Sequence, residues 1–92
     1  MFDSEIRGLA EAVLDAYRAR NWKLATAESC TGGLVAAALT EIPGSSAVLD
    51  RSFVTYSNAA KKEMLGVAAD VIDAFGAVSI ACVYAMAQGA LE

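Results

Sequence analysis

Histidine does not occur in this sequence. That excludes imidazole-activated serine or cysteine catalysis within the chain, along with the common histidine-bearing zinc sites. A general base here must be a lysine, aspartate, glutamate, tyrosine or thiolate. Cysteine is almost as scarce: Cys30 and Cys82 lie far apart, with no metal-ligand spacing and no expectation of a disulfide. Cations are outnumbered, seven Lys and Arg against eleven Asp and Glu, and they form no basic stripe. Non-specific nucleic-acid binding needs such a stripe, so no nucleic-acid partner is expected. Long apolar runs are missing too. The stretch 34–39 is far too short to cross a bilayer, and the opening MFDSEIRG lacks the basic and apolar parts of a signal peptide. No membrane partner is expected, and the chain reads as cytoplasmic.

What is present is apolar. Hydrophobic residues make up 57% of 92 residues, with a mean hydropathy of +0.44. A chain this short forms one small domain with much surface for its volume. Either an oligomer interface or further polypeptide must cover part of that surface, and a homo-oligomer is expected. The pattern alternates. Residues Ser4 to Arg20 carry Ile6, Leu9, Val13, Leu14 and Tyr17 at helical spacing, capped by Asp3 or Ser4 and stopped near Asn21. Lys23 to Ala27 reads as a strand. A helix from about Thr31 to Ile42 comes next, apolar nearly all round and therefore expected to be buried. Pro43 to Ser46 is a break, and Ser52 to Tyr56 is a second strand. Three more helical stretches complete the chain: about Ala59 to Leu65 capped by Ser57 or Asn58, Asp70 to Phe75, and a last one capped by Ser79. Strands alternating with helices define an α/β fold, although two strands make a poor sheet by themselves. Asp50 and Arg51 read as loop charges, and Trp22, Phe53 and Phe75 as core residues.

Two constellations could carry chemistry. In Thr26-Ala27-Glu28-Ser29-Cys30-Thr31-Gly32-Gly33 a strand delivers Ser29 to the start of a helix, and the glycines permit close approach to the backbone. Free N–H groups there would hold a phosphate or a developing oxyanion. Ser29 fits a nucleophile, a phosphate ligand or a plain N-cap, and periodicity alone favours the cap. Cys30 fits a nucleophile or, better, a small buried residue. In the second constellation, Tyr56 to Lys61, a cap at Asn58 puts Lys61 in the first turn of a helix, where the macrodipole favours acids. The positive helix end and burial would both favour a neutral lysine, able to accept a serine proton, with Tyr56 passing or holding it. A solvated Lys61 and a packed Tyr56 are the ordinary alternative. Glu28 fits two roles equally: a carboxylate orienting Lys61, or an acceptor for amides at the helix start.

The segments TAESCTGGLVAAALTEIPGSS, VTYSNAAKKEMLGV, FGAVS and AMAQGA closely resemble the C-terminal domain of the competence/damage-inducible protein family CinA. The resemblance runs from about Leu24 to Ala90. It implies a three-layer α/β/α domain with an incomplete sheet in this chain, occupying residues 1–92. That family includes nicotinamide-nucleotide amidases, which convert nicotinamide mononucleotide and water to nicotinate mononucleotide and ammonia. The resemblance therefore implies a small-molecule nucleotide substrate, no cofactor and no metal. It implies Ser29 as nucleophile, Lys61 as base and Tyr56 as proton carrier, with Glu28, Cys30, Thr31, Gly32, Gly33 and Asn58 around the substrate. A CinA-like nucleotide-binding or interaction domain without turnover is the alternative, as is a phosphate site without covalent chemistry. The chain also departs from the family. Arg51-Ser52-Phe53 stands where a small-residue pair is usual, and Ile80-Ala81 where acids usually come after AVS. The family continues into a strand and a glycine-rich loop that helps hold the phosphate, which implies that this chain is the N-terminal part of the domain.

Overall fold

The computed structural model describes residues 2–91. The first helix, α1 (Ser4–Ala19), starts where the Asp3 carboxylate accepts from the Ile6 amide at 2.9 Å, and the chain leaves it through Asn21 at φ 55°. Strand β1 (Leu24–Glu28) comes next, then α2 (Leu34–Thr40), a short 3-10 turn at Ser45–Ala47, and strand β2 (Leu49–Val54). Helices α3 (Asn58–Leu65), α4 (Ala69–Phe75) and α5 (Ile80–Leu91) complete the described chain. The fold is α/β, with a two-stranded parallel sheet.

Helices cover both faces of the sheet. Leu24 and Leu49 pack with Ala10, Leu14, Leu39, Ile42 and Val48 of the α1–α2 layer. Ala27 and Phe53 pack with Leu65, Val67, Ile72, Cys82 and Met86 of the α3–α5 layer. Leu49 and Phe53 would share a face in a regular strand, since side chains alternate. They do not, because the register shifts between Leu24 and Ala25: Leu24 pairs with Leu49, but Ala25 pairs with Arg51. The extra residue, Asp50, turns the strand over and lets one short β2 supply both cores.

Several expectations need correction. Asp50 and Arg51 lie in β2 rather than in a loop, and the strand ends at Val54 because Tyr56 has already turned toward α3. Helix α2 is shorter than expected because Gly32 (φ 60°) and Gly33 (φ 102°) are left-handed, which a continuous right-handed helix cannot contain. It is also not buried all round: Leu39 is buried, whereas Leu34 and Val35 are exposed. Trp22 and Phe75 are surface residues. Trp22 lies edge-on to Tyr17 and under the Arg20 guanidinium, which explains an aromatic ring outside the core. Ser57, not Asn58, caps α3 by accepting from the Ala60 amide.

Helix α5 approaches the end of α3 closely enough that only glycine fits at position 89, where a β-carbon would run into the Leu65 carbonyl. Gly89→Ala must therefore push α5 away from the second core. A loss of about 1–3 kcal/mol is expected, the usual range for overpacking, read as a lowered thermal midpoint in circular dichroism. An unchanged midpoint would mean that the helices separate without cost.

Candidate active site

The two strands run parallel, so their carboxyl ends lie side by side, and the loops leaving them share one edge of the molecule. In open α/β sheets that edge is where ligands bind. Glu28 ends β1, and its carbonyl accepts from the Thr55 amide at 2.8 Å and from the Thr55 hydroxyl at 3.3 Å. Thr55 is fully buried, so this latch fixes where both chains emerge. Ser29 leaves one side of it and Tyr56 the other.

The Glu28 side chain, itself buried, organises the turn between β1 and α2. One carboxylate oxygen accepts from the Thr31 hydroxyl (2.8 Å), the Gly33 amide (3.1 Å) and the Val35 amide (3.0 Å). The other accepts from the Ala36 amide at 2.9 Å. The choice left open for Glu28 is thereby resolved: it satisfies the helix start and makes no ion pair with Lys61. Ser29 is not the cap either. Gly33 occupies the N-cap position of α2 without a side-chain bond, and Glu28 does the capping from the preceding strand.

That turn has an unequal set of amides. Gly32 donates to the Ser29 carbonyl at 3.0 Å, Leu34 to the Thr31 carbonyl at 3.0 Å, and Gly33, Val35 and Ala36 to Glu28. The start of the helix is therefore occupied by the protein's own carboxylate. Cys30 and Thr31 are different: their amides make no intramolecular hydrogen bond among the described residues. Ser29 is half-buried and Cys30 exposed, which corrects the expectation of a buried cysteine. Ser29, Cys30 and Thr31 line the mouth of a groove of about 890 Å³ that runs along β1 between Val35 on one side and Val83 and Met86 of α5 on the other.

Across the latch, Lys61 is 2% exposed, the largest of the fully buried side chains together with Leu14 and Val48. It is not a solvated surface lysine. Its ammonium donates to the Tyr56 carbonyl at 3.2 Å, while the Tyr56 ring is 75% exposed instead of packed. A buried ammonium held by one carbonyl retains two unused donors, since –NH₃⁺ carries three. Ser29, Tyr56 and Lys61 are thus brought to one sheet edge, but no side-chain hydrogen bond joins Ser29 to either of the others among the described residues. Asn58 is exposed at the start of α3. No group of three Cys, Asp or Glu residues fit to hold a metal ion occurs among the described residues, and no helix among them is long and apolar enough to cross a membrane.

A serine in a glutamate-capped turn and a buried lysine across the Glu28–Thr55 latch, both at the carboxyl edge of a parallel sheet, define a particular class of α/β domain. The family profile of the CinA C-terminal domain matches residues 6–92, and the chain belongs to that family. It is 52% identical over all of its 92 residues to the Escherichia coli K12 protein named nicotinamide-nucleotide amidohydrolase PncC. It is 50% identical to the protein of the same name from Enterobacter agglomerans. In both cases the match spans 56% of the relative. Among solved structures, the competence/damage inducible protein CihA from Agrobacterium tumefaciens superposes with a TM-score of 0.95 at 52% identity, covering 99% of this chain and 55% of that one. A CinA superfamily protein from Escherichia coli superposes at 0.91 with 32% identity, covering 99% and 54%. The chain therefore spans little more than half the length of the relatives that it matches.

Burial pushes the Glu28 carboxyl up, but the Ala36 amide, the Thr31 hydroxyl and the Val35 and Gly33 amides outweigh it and hold the group below its ordinary value of 4.5. A carboxyl lowered on folding stabilises the fold above its unfolded pKa, and that contribution is lost as the pH falls through the lowered folded value. The thermal midpoint of the wild-type chain is expected to drop on acidification from 4.5 downward, and Glu28→Gln to flatten part of that drop while lowering the midpoint at neutral pH. Identical pH profiles would show that the carboxylate is not held in this way.

Proposed function

We propose that this chain carries the nucleophile and base of an amidohydrolase site that acts on nicotinamide mononucleotide, giving nicotinate mononucleotide and ammonia. The observation that carries the reading is a half-buried serine just after β1 and a fully buried lysine in the helix that leaves the neighbouring parallel strand β2, in a chain half identical to proteins named for that reaction.

Ser29 attacks the carboxamide carbon and Lys61 takes its proton. For that step the ammonium nitrogen must be neutral and must leave the Tyr56 carbonyl for the Ser29 hydroxyl. The exposed Tyr56 phenol carries the proton onward toward the leaving amine. The carbonyl oxygen becomes an oxyanion beside the amides of Cys30 and Thr31, which with that of Ser29 are the donors in the turn left without a partner. Expelling ammonia gives an acyl-serine, which water then hydrolyses to carboxylate and free serine. Thr31, Gly32, Gly33 and Asn58 border the place where the nucleotide would lie. Glu28 acts one step removed, as the positioning residue of the turn.

Ammonia release from nicotinamide mononucleotide tests the proposal. Ser29→Ala is expected to fall to background. Lys61→Met, which keeps most of the buried volume, is expected to lose roughly 10²–10⁴-fold in rate, the usual contribution of a general base. Full activity in Ser29→Ala would overturn the mechanism. A second reading, nucleotide binding without turnover, is favoured by the groove that lies open along β1 in a chain spanning about 56% of its relatives. Saturable binding of the mononucleotide by the wild-type chain with no ammonia and no acyl adduct on Ser29 would select it.

A further inference from the structure

Strand β1 is hydrogen-bonded along one edge only. In a parallel strand, successive residues turn their N–H and C=O groups to alternate sides. The Leu24 amide donates to the Val48 carbonyl at 2.9 Å, and the Glu28 carbonyl accepts from the Thr55 amide at 2.8 Å. Leu24, Thr26 and Glu28 therefore address β2. Ala25 and Ala27 address the other side, where no strand lies among the described residues. The next amide in that alternation, Ser29, has no partner among them either. This open edge lies along the groove of about 890 Å³ that Val35 of α2 and Val83, Met86 and Ala87 of α5 enclose. A side chain makes the same point. The hydroxyl oxygen of Thr26, which lines the groove, is buried and has no hydrogen-bond partner among the described residues. A row of unpaired main-chain donors and acceptors between two helix layers is a template for another strand.

Topology identifies that strand. Crossovers between parallel strands are right-handed in about 98% of cases. From β1 to β2 the chain crosses on the face covered by α1 and α2, whereas α3 to α5 lie on the opposite face. Right-handed crossovers on opposite faces move in opposite directions across a sheet. A parallel strand reached from α5 therefore lands beyond β1, on its open edge, and Ala90 and Leu91 at the end of α5 line the groove there. The relatives carry the polypeptide to supply it: this fold recurs at a TM-score of 0.95 inside a chain of which it covers 55%.

We propose that the open edge of β1 binds, as a third strand parallel to β1, an extended segment of the polypeptide that the relatives carry beyond the matched part. That strand pairs with the main-chain groups of Ala25 and Ala27 and sets a hydrogen-bonding side chain beside Thr26. It makes β1 the central strand, so the strand order reverses at the Ser29 turn, the place where such sheets bind ligands. The new strand ends beside Ser29 on the side away from Tyr56, and the mouth of the groove gains a second wall. Docking of the strand is independent of the reaction at Ser29.

Amide hydrogen exchange and co-purification test this. In the purified chain alone, the Ala25 and Ala27 amides are expected to exchange about tenfold or more faster than those of Thr26 and Glu28. The probe is the part of the Escherichia coli K12 relative outside the matched residues, co-expressed as a separate polypeptide. It is expected to co-purify with the wild-type chain and to slow Ala25 and Ala27 about tenfold or more, with Thr26 and Glu28 nearly unchanged. Ala25→Pro removes an N–H that faces the groove and no bond to β2, and an edge position tolerates proline. It is expected to keep the wild-type circular dichroism and to lose capture of the probe. Val83→Glu on the groove wall is expected to do the same without altering the main chain, whereas Leu9→Glu on α1 is expected to bind as wild type does. Slow exchange at Ala25 and Ala27 in the chain alone, as a second copy on the edge would give, would overturn the proposal. So would failure of the probe to co-purify, or capture that survives both Ala25→Pro and Val83→Glu.

Discussion

The arrangement depends on Glu28 acting at both ends. Its carbonyl holds Thr55 and so fixes the end of β2 against the end of β1. Its carboxylate holds Thr31, Gly33, Val35 and Ala36 and so fixes the turn and the first residues of α2. A buried carboxylate survives desolvation only when hydrogen bonds compensate it. Here they do, and the compensation is geometric information. Four donors converging on two oxygens leave the intervening turn little freedom, and Ser29 sits in that turn.

Electrostatics then separates two roles that the sequence merged. The start of α2 is a natural place for an anion, but Glu28 already fills it, which leaves no part of that helix end for an external anion. The donors left over are the amides of Ser29, Cys30 and Thr31, at and directly after the serine. The same carboxylate that satisfies the helix therefore decides which backbone groups face the groove. On the other side of the latch, Lys61 is buried with its ammonium on the Tyr56 carbonyl. The buried latch residue Thr55 joins the two halves into one continuous chain of contacts from α2 to α3.

Most element positions were legible, because helical and strand periodicities are local. The boundaries that mattered were not. Gly32 and Gly33 looked like part of a helix start, yet their left-handed conformations move that start to Leu34 and free Ser29 from capping duty. Asp50 looked like a loop charge, yet it is the extra residue that turns β2 over between the two cores. Trp22 and Phe75 looked like core because large aromatic rings carry large burial energies. A small sheet with two short strands has no room to cover them.

The sequence by itself determined that imidazole has no part in the chemistry of this chain, that a serine comes directly after a strand, and that a lysine stands early in a helix. Its motifs also placed the chain in its family. These properties reside in residue identity and short-range spacing. Tertiary structure decided the rest: that Lys61 is buried, that Glu28 binds amides rather than the lysine, and that Ser29, Cys30 and Thr31 hold the free amides. The physical reason is that hydrogen-bond satisfaction and burial are set by partners distant along the chain. Glu28 and Thr55, or Lys61 and the core around it, acquire their roles only when the two strands lie side by side.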